Sequence, residues 1–285
     1  MLKYSSLLVP IIFLIGDLAF GQIRGTVVTP DVVYGHKFGM ALTFDVFTPQ
    51  NANGSGVLNI VSGGWRSRWR PHEESQSLYQ PLLDAGFTVF AVRHGSSPKY
   101  SMPEIVLDVR RAVRYIRFNS KQLGVDADRL GVWGQSAGGH LSLMLGNISD
   151  GGDILSDDPI LQTTNRVAAV VAIYPPVDFR PVARAASPSV TNLRYPALNF
   201  DPADVELYSP ILHVSSDDPP TLLIHGDSDS LVDVSNSYDL FAVFQEQNVE
   251  SELVIVPGAD HGFQGDDLVL VTNEIVSWFE KYLNP

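Results

Sequence analysis

The chain has 285 residues, 45% of them hydrophobic and 18% charged, with 19 Lys plus Arg against 32 Asp plus Glu for a formal charge of −13. That apolar content excludes a disordered chain, and the negative field argues against nucleic acid or anionic membranes as partners. There is no cysteine, which removes disulfides, Cys-ligated zinc, a Cys nucleophile and an N-terminal lipoprotein anchor together.

The first 21 residues read as a signal peptide. Lys3 gives a positive start, Leu7 to Ile15 is apolar, Asp17 interrupts it, and Ala19-Phe20-Gly21 puts small residues at the two positions a signal peptidase reads. The apolar stretch is far short of the roughly 20 residues that span a bilayer. The expectation is export, secreted or periplasmic, with residues 22–285 as the folded part and no membrane anchor.

Beyond the leader, apolar runs alternate with helical stretches, the pattern of a mostly parallel sheet with helices on both faces. Leu42, Phe44 and Val46 alternate with Thr43, Asp45 and Phe47, which predicts a half-exposed strand in an antiparallel start. Val57–Val61, Phe87–Val92, Arg129–Trp133, Val167–Ile173, Thr221–Ile224 and Leu253–Val256 are more uniformly apolar and read as buried parallel strands. Ser101 and Glu104 form a capping box, with Ile105, Val109, Ala112, Val113 and Ile116 following at helical spacing. Arg110, Arg111, Arg114 and Arg117 lie mainly off that stripe and read as a solvated face. A final helix carries Leu268, Val271, Ile275, Trp278, Phe279 and Tyr282. Residues 175–220 hold nine prolines and weak periodicity; so long an excursion predicts a lid or substrate-binding insertion.

Gly134-Gln135-Ser136-Ala137-Gly138 sits where a buried strand ends and a helix begins. A serine on so sharp a turn has strained backbone and no room for neighbouring side chains, hence glycine two residues to either side. Such a hydroxyl needs a base and an acid to orient that base. His225 falls within a strand, His140 one turn into the helix after Ser136, and His36, His72, His94 and His213 away from the strand ends that matter. His261, between the last strand and the last helix, is left. The acid comes from His225-Gly226-Asp227-Ser228-Asp229 after the preceding strand. Serine, acid and histidine then follow in the order a strand-to-helix elbow requires. Two aspartates there, Asp227 and Asp229, compete for the acid role. Oxyanion donors are expected from Ala137 N–H and from Gly63 and Gly64, after strand 57–61.

With these residues assembled, the chain resembles the α/β-hydrolase superfamily over roughly residues 27–283. It looks most like the single-domain bacterial esterase and acetyl-hydrolase branch related to hormone-sensitive lipase, which includes small feruloyl and acetyl esterases. Residues 125–140 carry the likeness best, with 108–117, 223–229 and 258–263 in agreement. Asp229-x-x-Val232 is similar to the acid motif of such hydrolases, which favours Asp229 and leaves Asp227 to shape the turn through backbone hydrogen bonds. Where that branch has His-Gly-Gly-Gly, this chain has Val61-Ser62-Gly63-Gly64, keeping the glycines but not the histidine. The resemblance implies an α/β-hydrolase catalytic domain over 22–285. It implies carboxylic-ester hydrolysis through an acyl-serine, on acetyl or feruloyl esters of plant-type polysaccharides, with no metal or organic cofactor. Two other readings stay open: a serine peptidase of prolyl-oligopeptidase type, which usually carries a large extra domain, and a non-catalytic binding module of the same fold. Dehalogenases and epoxide hydrolases need an acidic nucleophile, and a true lipase a large apolar lid.

Trp65-Arg66-Ser67-Arg68-Trp69-Arg70 follows the oxyanion glycines. If extended, it puts Arg66, Arg68 and Arg70 on one side and the tryptophans on the other. Trp65, Arg66 and Arg68 are then candidates to bind substrate, the ring stacking and an arginine meeting a carboxylate. The simpler reading pairs these arginines with surface acids such as Glu73 and Glu74.

Overall fold

In the computed structural model, residues 21–23, 25–181 and 194–284 are described; apart from Gly21, the expected leader lies outside them. Nine strands form one sheet in the order β1-β2-β3-β5-β4-β6-β7-β8-β9. The strands are β1 (Gly21–Ile23), β2 (Thr26–Lys37), β3 (Met40–Pro49), β4 (Gly56–Ile60), β5 (Thr88–Val92), β6 (Leu130–Gln135), β7 (Ala169–Ile173), β8 (Thr221–Gly226) and β9 (Ser251–Val256). The pairings from β1 through β3 to β5 are antiparallel. Those from β5 through β4 to β9 are parallel. This is the α/β-hydrolase fold.

Because strand side chains alternate between faces, each central strand supplies two cores. Leu58, Ile60, Phe90, Val92 and Val132 meet Ile105, Val109, Leu141, Leu145, Leu240 and Phe244. These come from helices α2 (Met102–Phe118), α4 (Ala137–Asn147) and α5 (Ser235–Glu246). On the other face Val57, Val89, Trp133 and Val171 meet Tyr79, Leu82, Val271, Ile275 and Phe279, from α1 (His72–Asp84) and α6 (Gly265–Leu283). A four-residue α3 (Ser120–Leu123) follows α2. Each buried aliphatic side chain contributes roughly 1.5–3 kcal/mol, so the double-sided sheet anchors the loops at its carboxyl edge. None of the helices among the described residues is long and apolar enough to cross a membrane.

Four details differ from the sequence reading. β3 is antiparallel but not half-exposed: Asp45 and Phe47 are both buried, because α1 covers that face and Arg93 neutralises Asp45 through contacts of 2.6 and 2.9 Å. The arginines of α2 are not a free solvated face. Arg111 pairs with Asp158 and Arg114 with Asp150, while Arg110 donates to Ile148 O and Arg117 to Arg166 O, tying residues 148–166 to the helix. Leu268 stays exposed on the first turn of α6. β9 is an edge strand, so its apolar run is only partly covered.

The chain enters β4, crosses to β5 on one side and returns to β6 on the other. The loops after β4 and β6 therefore diverge, leaving a crevice at their carboxyl ends, where ligands of open α/β sheets bind.

Candidate active site

Ser136 follows β6 directly and caps α4 with φ 54 and ψ −120, a strained conformation for a residue with a side chain, costing of the order of 1–3 kcal/mol. Its N–H donates to Ile173 O at 2.9 Å and its carbonyl accepts from His140 N–H at 2.9 Å, so sheet and helix both hold the turn. A Cβ on Gly134 would lie 2.4 Å from the Gly138 carbonyl carbon, and one on Gly138 2.6 Å from Ile60 O. Those close approaches are why glycine flanks the serine.

His261 Nε2 lies 3.0 Å from Ser136 Oγ, and His261 Nδ1 lies 2.7 Å from Asp229 Oδ2. Facing a carboxylate, Nδ1 carries the proton, which leaves the Nε2 lone pair directed at the hydroxyl. The Asp229 side chain is fully buried. Its Oδ1 accepts from Leu231 N–H and Val232 N–H, each at 2.8 Å, which fixes the carboxylate's rotation. His225 Nε2 is 3.3 Å from the same Oδ2 and 2.9 Å from Val232 O. A carbonyl only accepts, so this nitrogen carries the proton, and burial lowers the His225 pKa and keeps the ring neutral. Tyr174, just past β7, lays its ring against His261 with centroids 4.4 Å apart.

The loops bearing Asp229 and His261 are fastened to each other. Asp260 Oδ1 accepts from Ser230 N–H, Ser230 Oγ–H and His261 N–H, all at 2.8 Å. Asp227 does not reach the histidine; its Oδ1 accepts from Gly258 N–H at 2.6 Å. The competing aspartates thus sit in different places, Asp229 against the imidazole and Asp227 between the two loops.

The loop after β4 departs from expectation in two places. Gly63 N–H donates to Arg66 O at 3.0 Å, so its amide is occupied. Gly64, at φ 56, has no such bond among the described residues and lines the cleft with Ser136. Ala137 N–H, first of α4, has no intrahelical acceptor. Of the three expected donors, Gly64 and Ala137 remain open. Trp65 does not line that cleft: it is buried and packs against His140, Phe179 and Tyr195. The Gly63–Arg66 bridge makes the segment a tight turn, which swings this ring into the core rather than along an extended face.

That burial explains how the loop is held without the missing histidine. His140 Nε2 lies 2.9 Å from Tyr208 O and so bears the proton, leaving Nδ1 to accept from Trp65 Nε1–H at 3.3 Å. Burial pulls the His140 pKa down to about 4, which keeps the acceptor lone pair available. Trp65 O accepts from Ser97 N–H, and Ser67 N–H donates to Ser96 Oγ. Tyr208 belongs to the proline-rich excursion, of which residues 182–193 lie outside the described part. Tyr174 and Asp260 were not singled out from sequence as site residues, nor was the contact of Trp65 with His140; only the aromatic Tyr174-Pro175 after a strand offered any signal.

Ser136, His261, Gly64 and Tyr174 line a cleft of ≈ 460 Å³. Arg66, Arg68 and Arg70 line it as well; Trp69 is exposed, its ring 6.0 Å from His72.

The family model BD-FAE matches residues 44–244, which is more than half of the chain. The chain belongs to the BD-FAE family. It is 28% identical over 249 residues to the "probable carboxylic ester hydrolase LipM" of Mycobacterium tuberculosis, covering 82% of this chain and 56% of that protein. It spans about half the length of the first curated relatives it matches. Among solved structures, it superposes on the acetyl ester-xyloside bifunctional hydrolase of Caldicellulosiruptor lactoaceticus with TM-score 0.75 and 28% identity, covering 88% of this chain and 95% of that one. A truncated carbohydrate esterase from gut microbiota gives TM-score 0.73 and 26% identity over 93% of this chain and 98% of that one.

Proposed function

We propose that this BD-FAE chain is a serine hydrolase of carboxylic esters, with Ser136 as nucleophile, His261 as base and Asp229 as orienting acid. One observation carries the reading: a serine at φ 54 with imidazole Nε2 3.0 Å away, and a buried carboxylate 2.7 Å from Nδ1. Ser136 Oγ attacks the ester carbonyl while its proton passes to Nε2. The tetrahedral oxyanion is met by Ala137 N–H and Gly64 N–H, fixed dipoles that need no reorganisation. Nε2–H then protonates the leaving alcohol, leaving an acyl-serine. Water, deprotonated by the same nitrogen, releases the acid. Asp229 stays ionised throughout and stabilises the transient imidazolium. The likeness to an acetyl ester-xyloside hydrolase and to a carbohydrate esterase supports acetyl esters of sugars as the substrate class.

A fluorophosphonate probe tests the mechanism. It should add one adduct, mapped to the peptide containing Ser136, and Ser136→Ala should abolish both labelling and p-nitrophenyl acetate hydrolysis. Full hydrolysis by Ser136→Ala would refute the assignment. Acetate release from acetylated xylan tests the substrate class separately.

A further inference from the structure

Seven of the described arginines have an aspartate oxygen within 3.2 Å of the guanidinium, Arg110 donates to a backbone carbonyl, and Arg194 lies over the Tyr195 ring, 5.4 Å from its centroid. Arg66, Arg68 and Arg70 differ. They are exposed, they line the cleft that holds Ser136 and His261, and no ion pair reaches them among the described residues. Glu73 and Glu74, in the first turn of α1, make no ion pair with them. Arg93 lines the same cleft but is neutralised by Asp45 and Asp31. The cleft thus contains both kinds of arginine, and only the 66–70 turn offers free guanidinium forks.

In a chain of charge −13 this is a local inversion of sign. Charge lining a cleft focuses the field there. A free guanidinium fork matches a carboxylate in two parallel hydrogen bonds. A neutral ester can accept a hydrogen bond from it but gains no charge pairing. The hydrogen bond from Gly63 N–H to Arg66 O ties this turn to the oxyanion loop, so the main chain that carries Arg66 is fixed relative to the nucleophile.

We propose that the ester taken by this cleft carries a carboxylate, held by Arg66 and Arg68 with Arg70 adding to the field. The inference rests on the ester-hydrolase reading and names its substrate class. The carboxylate belongs either to the acyl half, as in the half-ester of a dicarboxylic acid, or to the alcohol half, as in an acylated sugar acid.

Two matched pairs separate those sources: the mono-p-nitrophenyl ester of glutaric acid against p-nitrophenyl valerate, and 4-acetoxybenzoate against 4-acetoxybenzamide. The readout is the kcat/KM ratio of anionic to neutral ester. In one pair it should exceed about tenfold, shrink as salt rises from about 0.02 to about 0.5 M, and fall by about tenfold or more in R66Q/R68Q. Ratios near or below one in both pairs, or a ratio the double variant leaves unmoved, would overturn the inference. Calorimetric binding of 4-acetoxybenzoate and monomethyl glutarate to Ser136→Ala supplies a readout free of turnover. Hydrolysis of no ester, with arginine-dependent binding of one anion intact, would refute the ester-hydrolase reading alone. Turnover of both members of each pair without discrimination would refute the anion subsite alone, and absence of binding together with absence of turnover would refute both.

Discussion

Replacing Asp229 by asparagine is the sharpest perturbation of the site, because the surrounding hydrogen bonds dictate how the amide sits. Oδ1 accepts from Leu231 and Val232 N–H, each at 2.8 Å, so the asparagine oxygen stays on that side. Reversing it would break two hydrogen bonds worth about 1 kcal/mol each and oppose donors to donors. The NH2 group is then forced towards His261 Nδ1, where Oδ2 now stands at 2.7 Å. Nδ1 has to become an acceptor, which moves the ring proton to Nε2, the nitrogen 3.0 Å from Ser136 Oγ. In that tautomer the base cannot take the serine proton. The same NH2 also confronts His225 Nε2–H, 3.3 Å away, so some stability is lost too. Loss of the orienting acid with geometry kept lowers kcat by about 10²–10⁴, or about 3–5 kcal/mol of barrier. Saturation kinetics on p-nitrophenyl acetate, with a thermal melt to verify folding, measures it. Asp227→Asn is the control: its oxygen still accepts from Gly258 N–H, so activity should stay close to wild type. A folded Asp229→Asn enzyme within tenfold of wild type, or a collapse in Asp227→Asn instead, would refute the reasoning.

Gly134→Ala places a Cβ 2.4 Å from Gly138; backbone faces backbone there, so urea unfolding should show more than about 3 kcal/mol lost and hydrolysis should vanish. Trp65→Phe leaves His140 Nδ1 buried without its donor, at a cost of about 1–3 kcal/mol, and by loosening the Gly64 loop should lower kcat more than it raises KM; an unchanged kcat would show that the loop is held elsewhere. His94 and His140 are buried, and desolvation lowers each pKa to about 4. Unfolding raises both to about 6.5, so the unfolded state binds more protons and stability, complete above pH 6.5, drains away as pH falls towards 4, by up to about 1.4 kcal/mol per pH unit for each ring. Urea unfolding at pH 7, 6 and 5 should show this slope and His140→Asn should make it shallower; stability flat across that range would mean that the rings titrate freely in the fold.

The local pattern around Ser136 is legible in one dimension because its causes are local. A serine between glycines at a strand-to-helix junction has few ways to fold, and the central strands and α2 announce themselves by period and capping. Strand order places the loops that carry Asp227, Asp229 and His261, whereas the choice between the two aspartates leans on the likeness of Asp229-x-x-Val232 to a hydrolase motif; the structure puts Asp229 Oδ2 2.7 Å from His261 Nδ1. What the tertiary structure decided depends on residues distant in sequence. Asp45 alternates like a surface residue but is buried, because Arg93, 48 positions on, neutralises it. Trp65 reads as a substrate platform, yet it is drawn into the core by His140, 75 residues away. Gly63 and Gly64 look equivalent until the carbonyl of Arg66 occupies one amide and leaves the other. The arginines of α2 and those of the 66–70 turn are alike in sequence; only the fold brings Asp150 and Asp158 to the first group and leaves the second facing the cleft. A charge's partner is a property of three-dimensional proximity, so no reading along the chain assigns it.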